Sequence, residues 1–362
     1  MRIVVAMSGG VDSSVTAGLL VEAGHEVIGV HMKLHDRPDG DAGHCCGLDD
    51  ARNARRVAAR LDIPFYVMDL KEAFKAAVMD KLVSSYLGGM TPNPCVACNG
   101  VLKFQVLLGR AVALGAEKLA TGHYARTDGA RLFVAADAAK DQTYFLYPIS
   151  AKALARTLFP LGGLTKPEVR EHARRMGLLN ADKPESMEVC FLPDDDHTRF
   201  VAEAAPEVEA AGDIVDETGK VLGHHDAWFR YTVGQRRGLG LGGGPWYVLR
   251  IEPDARQVVV GPAERLESQG LEANLPHFLA PLAVGEMVEA RLRHRGARIP
   301  AQIRNLEPLR LAFDAPARAV APGQAVVLYR GDQVLGGATI RRSWRPDQPV
   351  SLTTVADGPT LG

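Results

Sequence analysis

The sequence predicts an α/β protein built as a parallel-sheet domain, a small central β-rich domain and a C-terminal β-barrel. Three observations carry this. Over the first 120 of the 362 residues, short apolar runs alternate with helical spacing, the pattern of a parallel sheet covered on both faces. A glycine–serine loop, Ser8-Gly9-Gly10-Val11-Asp12-Ser13-Ser14, follows the first apolar run directly. After Pro206 the helical spacing gives way to Gly-rich, short strand signals.

In chain order, residues 2–6 form the first strand, 14–23 a helix ended by Gly24, and 25–31 the second strand. Residues 48–61 have helical spacing, with Asp49 and Asp50 in the first turn, where they suit the positive end of the helix dipole. Residues 64–68 are a strand, 71–86 and 101–114 helices, and 118–120 a fourth strand. Ligands in such sheets bind at the carboxyl ends of the strands. Residues 150–205 are mostly helical. There Thr165 caps a helix over 166–176, with Pro167 near its start and Glu168 completing a capping box. Residues 212–265 include GLGLGGGPWYVLRI, and 286–341 read as five or six short strands of a closed or partly closed barrel. The expected domains are 1–205, 206–275 and 276–362, with a frayed tail over 357–362.

Lys plus Arg number 42 and Asp plus Glu 43, for a net charge of −1. A globally basic chain is excluded, so any nucleic-acid contact comes from local patches. One such patch spans residues 285–345, which hold 11 Arg, no Lys and 5 acidic residues, a local net of +6. It reads either as a solvated face or as a phosphate-backbone contact. No apolar run approaches the roughly 18–20 residues of a membrane span. MRIVVAM is too short for a signal peptide, so a cytoplasmic protein with no membrane partner is expected. The five cysteines, Cys45, Cys46, Cys95, Cys98 and Cys190, are then expected to serve catalysis or metal binding rather than a disulfide framework.

The Ser8–Ser14 loop is suited to polyphosphate. Glycines allow close backbone approach, the following helix start supplies N–H groups, and Asp12 can hold Mg²⁺. It lacks the Lys and the spacing of a Walker loop. The string resembles the PP-loop ATP pyrophosphatases, an adenine-nucleotide alpha-hydrolase-like group that includes GMP synthetases, NAD synthetases and several tRNA-modifying enzymes. Five further strings narrow the resemblance: Thr91-Pro92-Asn93-Pro94-Cys95-Val96-Ala97-Cys98-Asn99, Ala120-Thr121-Gly122-His123-Tyr124, Lys140-Asp141-Gln142-Thr143-Tyr144-Phe145-Leu146, Ser186-Met187-Glu188-Val189-Cys190-Phe191, and Tyr231-Thr232-Val233-Gly234-Gln235-Arg236-Arg237-Gly238. Together these are similar to the tRNA-specific 2-thiouridylases of the MnmA type, over nearly the whole chain.

The resemblance implies that ATP and a tRNA anticodon stem-loop bind together. The 2-carbonyl oxygen of the wobble uridine is adenylated and then replaced by persulfide sulfur, with release of AMP and pyrophosphate. By motif match Cys190 carries the persulfide, received from a sulfur-relay protein or cysteine desulfurase, and Cys98 is its partner thiol. Ala6, Met7, Ser8, Gly9, Gly10, Val11, Asp12, Ser13, Met32 and Gly122 fall at nucleotide-binding positions. Asn93, Pro94 and Cys95 fall at the target base, and His123, Lys140, Asp141, Gln142, Arg293, His294 and Gln324 at tRNA contacts. Many family members have Asp where this chain has Cys95. That leaves two readings of Cys95 open: a thiolate doing related work, or one ligand of a [4Fe–4S] cluster shared with Cys98 and Cys190. A Zn²⁺ site would need a fourth ligand from His44, Cys45 or Cys46. The competing functions are a PP-loop amidating ligase and a non-catalytic Fe–S or redox RNA-binding protein. The Cys190 segment, bounded by Pro184 and Pro193, is expected to be a mobile loop.

Overall fold

In the computed structural model, residues 1–35, 48–184, 189–192, 194 and 196–345 are described. His44, Cys45, Cys46, Ser186–Glu188 and the C-terminal tail lie outside them. Strands β1 (Arg2–Ala6), β2 (Glu26–Lys33), β3 (Phe65–Asp69), β4 (Lys118–Thr121) and β7 (Thr157–Leu158) form one parallel sheet in the order β3-β2-β1-β4-β7. The first four were expected. β7 has two residues and carries no periodicity to read.

The sheet is buried by alternation along β1. Ile3 and Val5 pack under helices α1 (Val11–Glu22), α2 (Leu48–Arg60) and α5 (Lys166–Arg175), and Val4 packs on the other face under α4 (Pro94–Ala113). All three strand residues are fully buried, each worth about 1.5–3 kcal/mol of transfer free energy. By length and composition α4 could cross a membrane, which corrects the expectation that no run comes close. Here its Phe104, Leu107, Leu108 and Ala111 belong to the core of the sheet domain. Between these elements residues 71–87 form one helical run, α3, interrupted by π-helical turns. α6 (His197–Ala204) lies against it.

The central domain is a four-stranded sheet of β8 (Gly212–Val215), β9 (Val221–His225), β10 (Tyr247–Glu252) and β11 (Gln257–Gly261), ordered β10-β11-β8-β9. The C-terminal barrel contains β12 (Glu267–Phe278), β13 (Met287–Arg291), β14 (Arg298–Leu306), β15 (Leu309–Arg318), β16 (Ala325–Arg330) and β17 (Gln333–Trp344). It closes because β12 pairs with both β15 and β17. The expected boundary at 275/276 falls inside β12. The barrel is also joined to the sheet domain, since the hairpin β5 (Arg126–Thr127) and β6 (Leu132–Phe133) adds to the edge of β17.

Candidate active site

The sheet order reverses between β1 and β4, which opens a crevice at their carboxyl ends. The Ser8–Ser14 loop fills one side of it. Gly9 adopts φ +83°, and a Cβ there would lie 2.4 Å from the Asp50 carbonyl oxygen. Gly10 caps α1 without any side-chain cap hydrogen bond, so the first-turn N–H groups of a 12-residue helix face the crevice. The serine hydroxyls brace the turn: Ser13 and Ser14 donate to the Gly10 carbonyl at 3.1 and 2.9 Å. Asn180 Nδ2 donates to the Gly9 carbonyl at 3.1 Å and to Ser14 Oγ at 2.9 Å. Ser8 is exposed and Asp12 half-buried, whereas Met7, Val11 and Ser13 are buried. Met7 therefore serves through its backbone, whose carbonyl accepts from His31 Nδ1 at 2.9 Å.

Asp12 has partners that the sequence did not suggest. Lys166 Nζ donates to its Oδ1 and Oδ2 at 2.8 and 2.9 Å, and Tyr124 Oη donates to Oδ1 at 2.9 Å. The Lys166 side chain is 10% exposed. Lys166 opens α5, where the expected capping box is present and the Glu168 carboxylate accepts from the Thr165 amide at 2.7 Å. Cap chemistry identified that helix start, but only the fold brings its first side chain to the loop.

Gly122 ends β4 against this loop. A Cβ on it would meet the Asp12 carbonyl carbon and Ser13 nitrogen at 2.8 Å, so any larger residue would push the loop away from the strand. Next to it His123 is buried, with both ring nitrogens engaged: Thr121 Oγ1 lies 2.8 Å from Nδ1 and Lys103 Nζ lies 3.2 Å from Nε2. An ammonium only donates, so Nε2 accepts and Nδ1–H donates to Thr121. Burial, then the Lys103 charge, holds the His123 pKa well below the ordinary range, so the ring is neutral.

The cysteines stand on the far side of Lys103. Cys95 is exposed, Cys98 and Cys190 are half-buried, and all three are reduced. Burial pushes the Cys98 thiol up to about 12, Lys103 opposes the rise, and the nearby Cys190 and Cys95 add to it. Cys98 and Cys190 pack on one apolar cluster, where Phe191 and Leu192 are buried and Phe191 meets Phe74 edge-on at 5.3 Å. Residues 189–192 pack on the same cluster as Cys98, while residues 185–188 and Pro193 of the expected mobile loop lie outside the described residues. Among the described residues no group of three His, Cys, Asp or Glu side chains is arranged to hold a metal ion.

The loop that opens α4 is held by all three domains. Thr91 donates its amide to the Pro322 carbonyl at 2.8 Å, its carbonyl accepts from Gln324 Nε2 at 2.9 Å, and its hydroxyl meets Thr232 Oγ1 at 3.1 Å. Asn93 caps α4 without a side-chain cap hydrogen bond, beside Pro94 and Cys95. Several residues expected at tRNA contacts are occupied internally. Asp141 is buried and accepts from Thr143 Oγ1 at 2.9 Å and Arg291 at 3.0 Å, and Gln142 Oε1 accepts the Tyr124 amide at 2.9 Å. Lys140 and Met32 are half-buried. His294 stacks on Phe145 at 4.3 Å, and its pKa is lowered by burial and then by Arg295 and Arg291. Arg293 is exposed. Four more arginines of the +6 segment pair with acids outside it: buried Glu272 with Arg310, Arg341 and Arg342, and Glu217 with Arg345 as well as with Arg265.

A phosphate loop at the switch point of a parallel sheet, a few residues from clustered thiols, defines a PP-loop, nucleotide-dependent enzyme class. Residues 1–194 match the family model of the tRNA methyl transferase HUP domain, 198–262 that of the tRNA methyl transferase PRC-barrel domain and 268–340 that of the aminomethyltransferase beta-barrel domain. The chain is 50% identical over 355 residues to the tRNA-specific 2-thiouridylase MnmA of Geobacter metallireducens, covering 94% of this chain and 96% of the relative. It is 48% identical over 365 residues to that of Geotalea uraniireducens, covering 97% of each. It is 47% identical over 363 residues to that of Acidothermus cellulolyticus, covering 95% and 99%. The chain belongs to the tRNA-specific 2-thiouridylase family.

Proposed function

We infer that the chain carries out ATP-dependent 2-thiolation of the wobble uridine of tRNA. The observation that carries this reading is the continuity of the crevice. Asp12 and Ser13 touch Gly122, His123 follows it and holds Lys103, and Lys103 acts on Cys98, which is close to Cys190. Phosphate and sulfur chemistry are therefore side by side, as two steps on one carbonyl carbon require.

The α1 N-terminus and the Ser8–Ser13 loop grip the pyrophosphate end of ATP and stabilise the charge it develops on leaving. Asp12 is the carboxylate in place to hold Mg²⁺, which would neutralise phosphate charge. The uridine 2-oxygen attacks the α-phosphorus and pyrophosphate departs. The outer sulfur of a Cys190 persulfide then attacks C2, and AMP leaves. Cys95, where relatives often have Asp, serves as a thiol beside the base, and we read the three cysteines as thiols rather than cluster ligands. Asn93, Pro94 and Cys95 face the base, and Arg293 and Lys140 contact the tRNA backbone. Asp141, Gln142 and Gln324 act indirectly, by positioning the loops that do. A sulfur-relay protein or cysteine desulfurase supplies the persulfide, and the setting is cytoplasmic.

The test is AMP release from ATP measured with and without tRNA, together with analysis of the tRNA for 2-thiouridine. The reading expects AMP only with tRNA present and thiouridine only with a persulfide donor. AMP formed on a free carboxylic acid and ammonia, independent of tRNA, would instead support the amidating-ligase reading.

A further inference from the structure

We propose that Lys103 is the positioning residue that lets Cys98 react: its ammonium, fixed by His123, offsets the burial of Cys98 and so favours the thiolate that attacks Cys190. The inference deepens the reading above and rests on Cys98 being the resolving thiol.

The helix geometry comes first. Residues Cys98–Leu107 of α4 are π-helical, with hydrogen bonds running i→i+5. On an α-helix of 3.6 residues per turn, a residue five positions on lies about 140° round the axis. The wider π turn brings residue i+5 back over residue i, so Lys103 returns to the side of Cys98. The π-helical run has a specific consequence here, since an ordinary helix would turn the two side chains apart.

Lys103 is also an unusual cation. It is half-buried, and its one hydrogen bond is to the Nε2 of a neutral, buried histidine at 3.2 Å. Among the described residues no carboxylate pairs with it. Surface lysines ordinarily face water or an acid, whereas this one is held by an acceptor that leaves its charge uncompensated. That is the arrangement for an anion that forms during turnover. Burial acts on Cys98 most strongly, followed by Lys103, Cys190 and Cys95. Of these Lys103 alone favours the thiolate.

The step it serves balances as follows. After AMP leaves, Cys190 is joined through the transferred sulfur to uridine C2. The Cys98 thiolate attacks Cys190 Sγ. A Cys98–Cys190 S–S bond forms, the bond from Cys190 Sγ to the transferred sulfur breaks, and the electron pair leaves as the thiocarbonyl of 2-thiouridine. The Cys98 sulfur is oxidised and the transferred sulfur is reduced. The proton lost by Cys98 is matched by the one gained at uridine N3.

The test measures Cys98 itself. In the full-length chain with Cys45, Cys46, Cys95 and Cys190 changed to Ser, alkylation by iodoacetamide is followed between about pH 8 and 9. The rate there is proportional to the thiolate fraction. Removing a cation raises a thiol pKa, so Lys103→Met is expected to slow alkylation about tenfold, the effect of one pKa unit. Lys103→Arg, which keeps the charge, is expected to stay within about twofold of the parent. Thermal unfolding of each variant reports its folding. Equal alkylation rates in Lys103→Met and its parent would overturn the proposal. So would a Lys103→Arg variant as slow as Lys103→Met, accompanied by weakened tRNA binding, since that pattern belongs to a nucleic-acid contact. The alkylation rate does not require thiolation to occur. The role of Cys98 as resolving thiol is tested separately by single-turnover thiolation with Cys98→Ser.

Discussion

Replacing Asp12 by Ala has two separable consequences. The carboxylate is the loop's only one and is the group our reading gives to Mg²⁺, so tRNA-dependent AMP release should be abolished. The structure adds a stability cost that the sequence did not suggest. Asp12 accepts two hydrogen bonds from Lys166 and one from Tyr124, and the side chains are 30% and 10% exposed for Asp12 and Lys166. Breaking a fully buried pair costs about 3–5 kcal/mol, and an exposed pair contributes about 0–1 kcal/mol. A pair between these limits should cost about 2 kcal/mol, largely the penalty of leaving the Lys166 ammonium uncompensated. For a domain of this size that is a fall in melting temperature of about 4–8 °C. Asp12→Asn keeps an acceptor for both donors and should lose about half as much, while being equally inactive. Asp12→Ala combined with Lys166→Met should recover much of the lost stability and none of the activity, because the stranded charge is gone. Thermal unfolding and AMP release on the same four proteins decide the matter. A single variant as stable as wild type, with no coupling to Lys166→Met, would refute the pairing. Normal AMP release would refute the role of the loop.

Gln324→Ala removes the hydrogen bond that holds the Thr91 carbonyl, so single-turnover thiolation should slow about 3–10-fold, matching a loss of roughly 0.5–1.5 kcal/mol. tRNA affinity by filter binding should stay within about twofold, and a large affinity loss with an unchanged rate would make Gln324 a direct contact. Arg293→Glu should weaken binding to all substrate tRNAs and lower the salt slope by about 1. Arg342→Glu should instead lower the melting temperature, because it places a second acid against nearly buried Glu272. Glu217 has a pKa held down at about 2, first by the Arg265 hydrogen bond and then, against desolvation, by Arg345. A depressed folded-state pKa gives stability that is present above the unfolded value near 4.3 and lost as pH falls toward 2. Glu217→Gln should therefore flatten the fall of melting temperature over that acid window, and an unchanged profile would show that the tie between central domain and barrel does not form.

The sheet domain was legible because its signals are local. The apolar runs of β1 and β2 are long enough to show burial, and the capping box at Thr165 and Glu168 marks a helix start by chemistry alone. β7 and the β5–β6 hairpin were not legible. Two-residue strands have no period, and they pair only because tertiary structure brings an edge to them. The barrel was predicted but its start was misplaced, since β12 switches between partners and is irregular in register. At the site, contiguous strings named the phosphate loop and the cysteines. The residues that condition them are recruited through space: Lys103 and Asn180 lie in unremarkable sequence, and the capping box around Lys166 marks a helix start but not its contact with Asp12. The arginine-rich segment read either as a solvated face or as a phosphate contact. Composition counts charge, whereas the fold pairs Arg310, Arg341, Arg342 and Arg345 with acids from other strands and domains.

The central claim is that phosphate chemistry and sulfur chemistry act in sequence on one uridine, with Cys190 carrying the sulfur. The most direct measurement is a single-turnover reaction of Cys190→Ser with tRNA, ATP and a persulfide donor, in which AMP and 2-thiouridine are quantified in the same samples. The account predicts that AMP is released or trapped as the tRNA adenylate while no thiouridine forms. Thiouridine at the wild-type yield would contradict it.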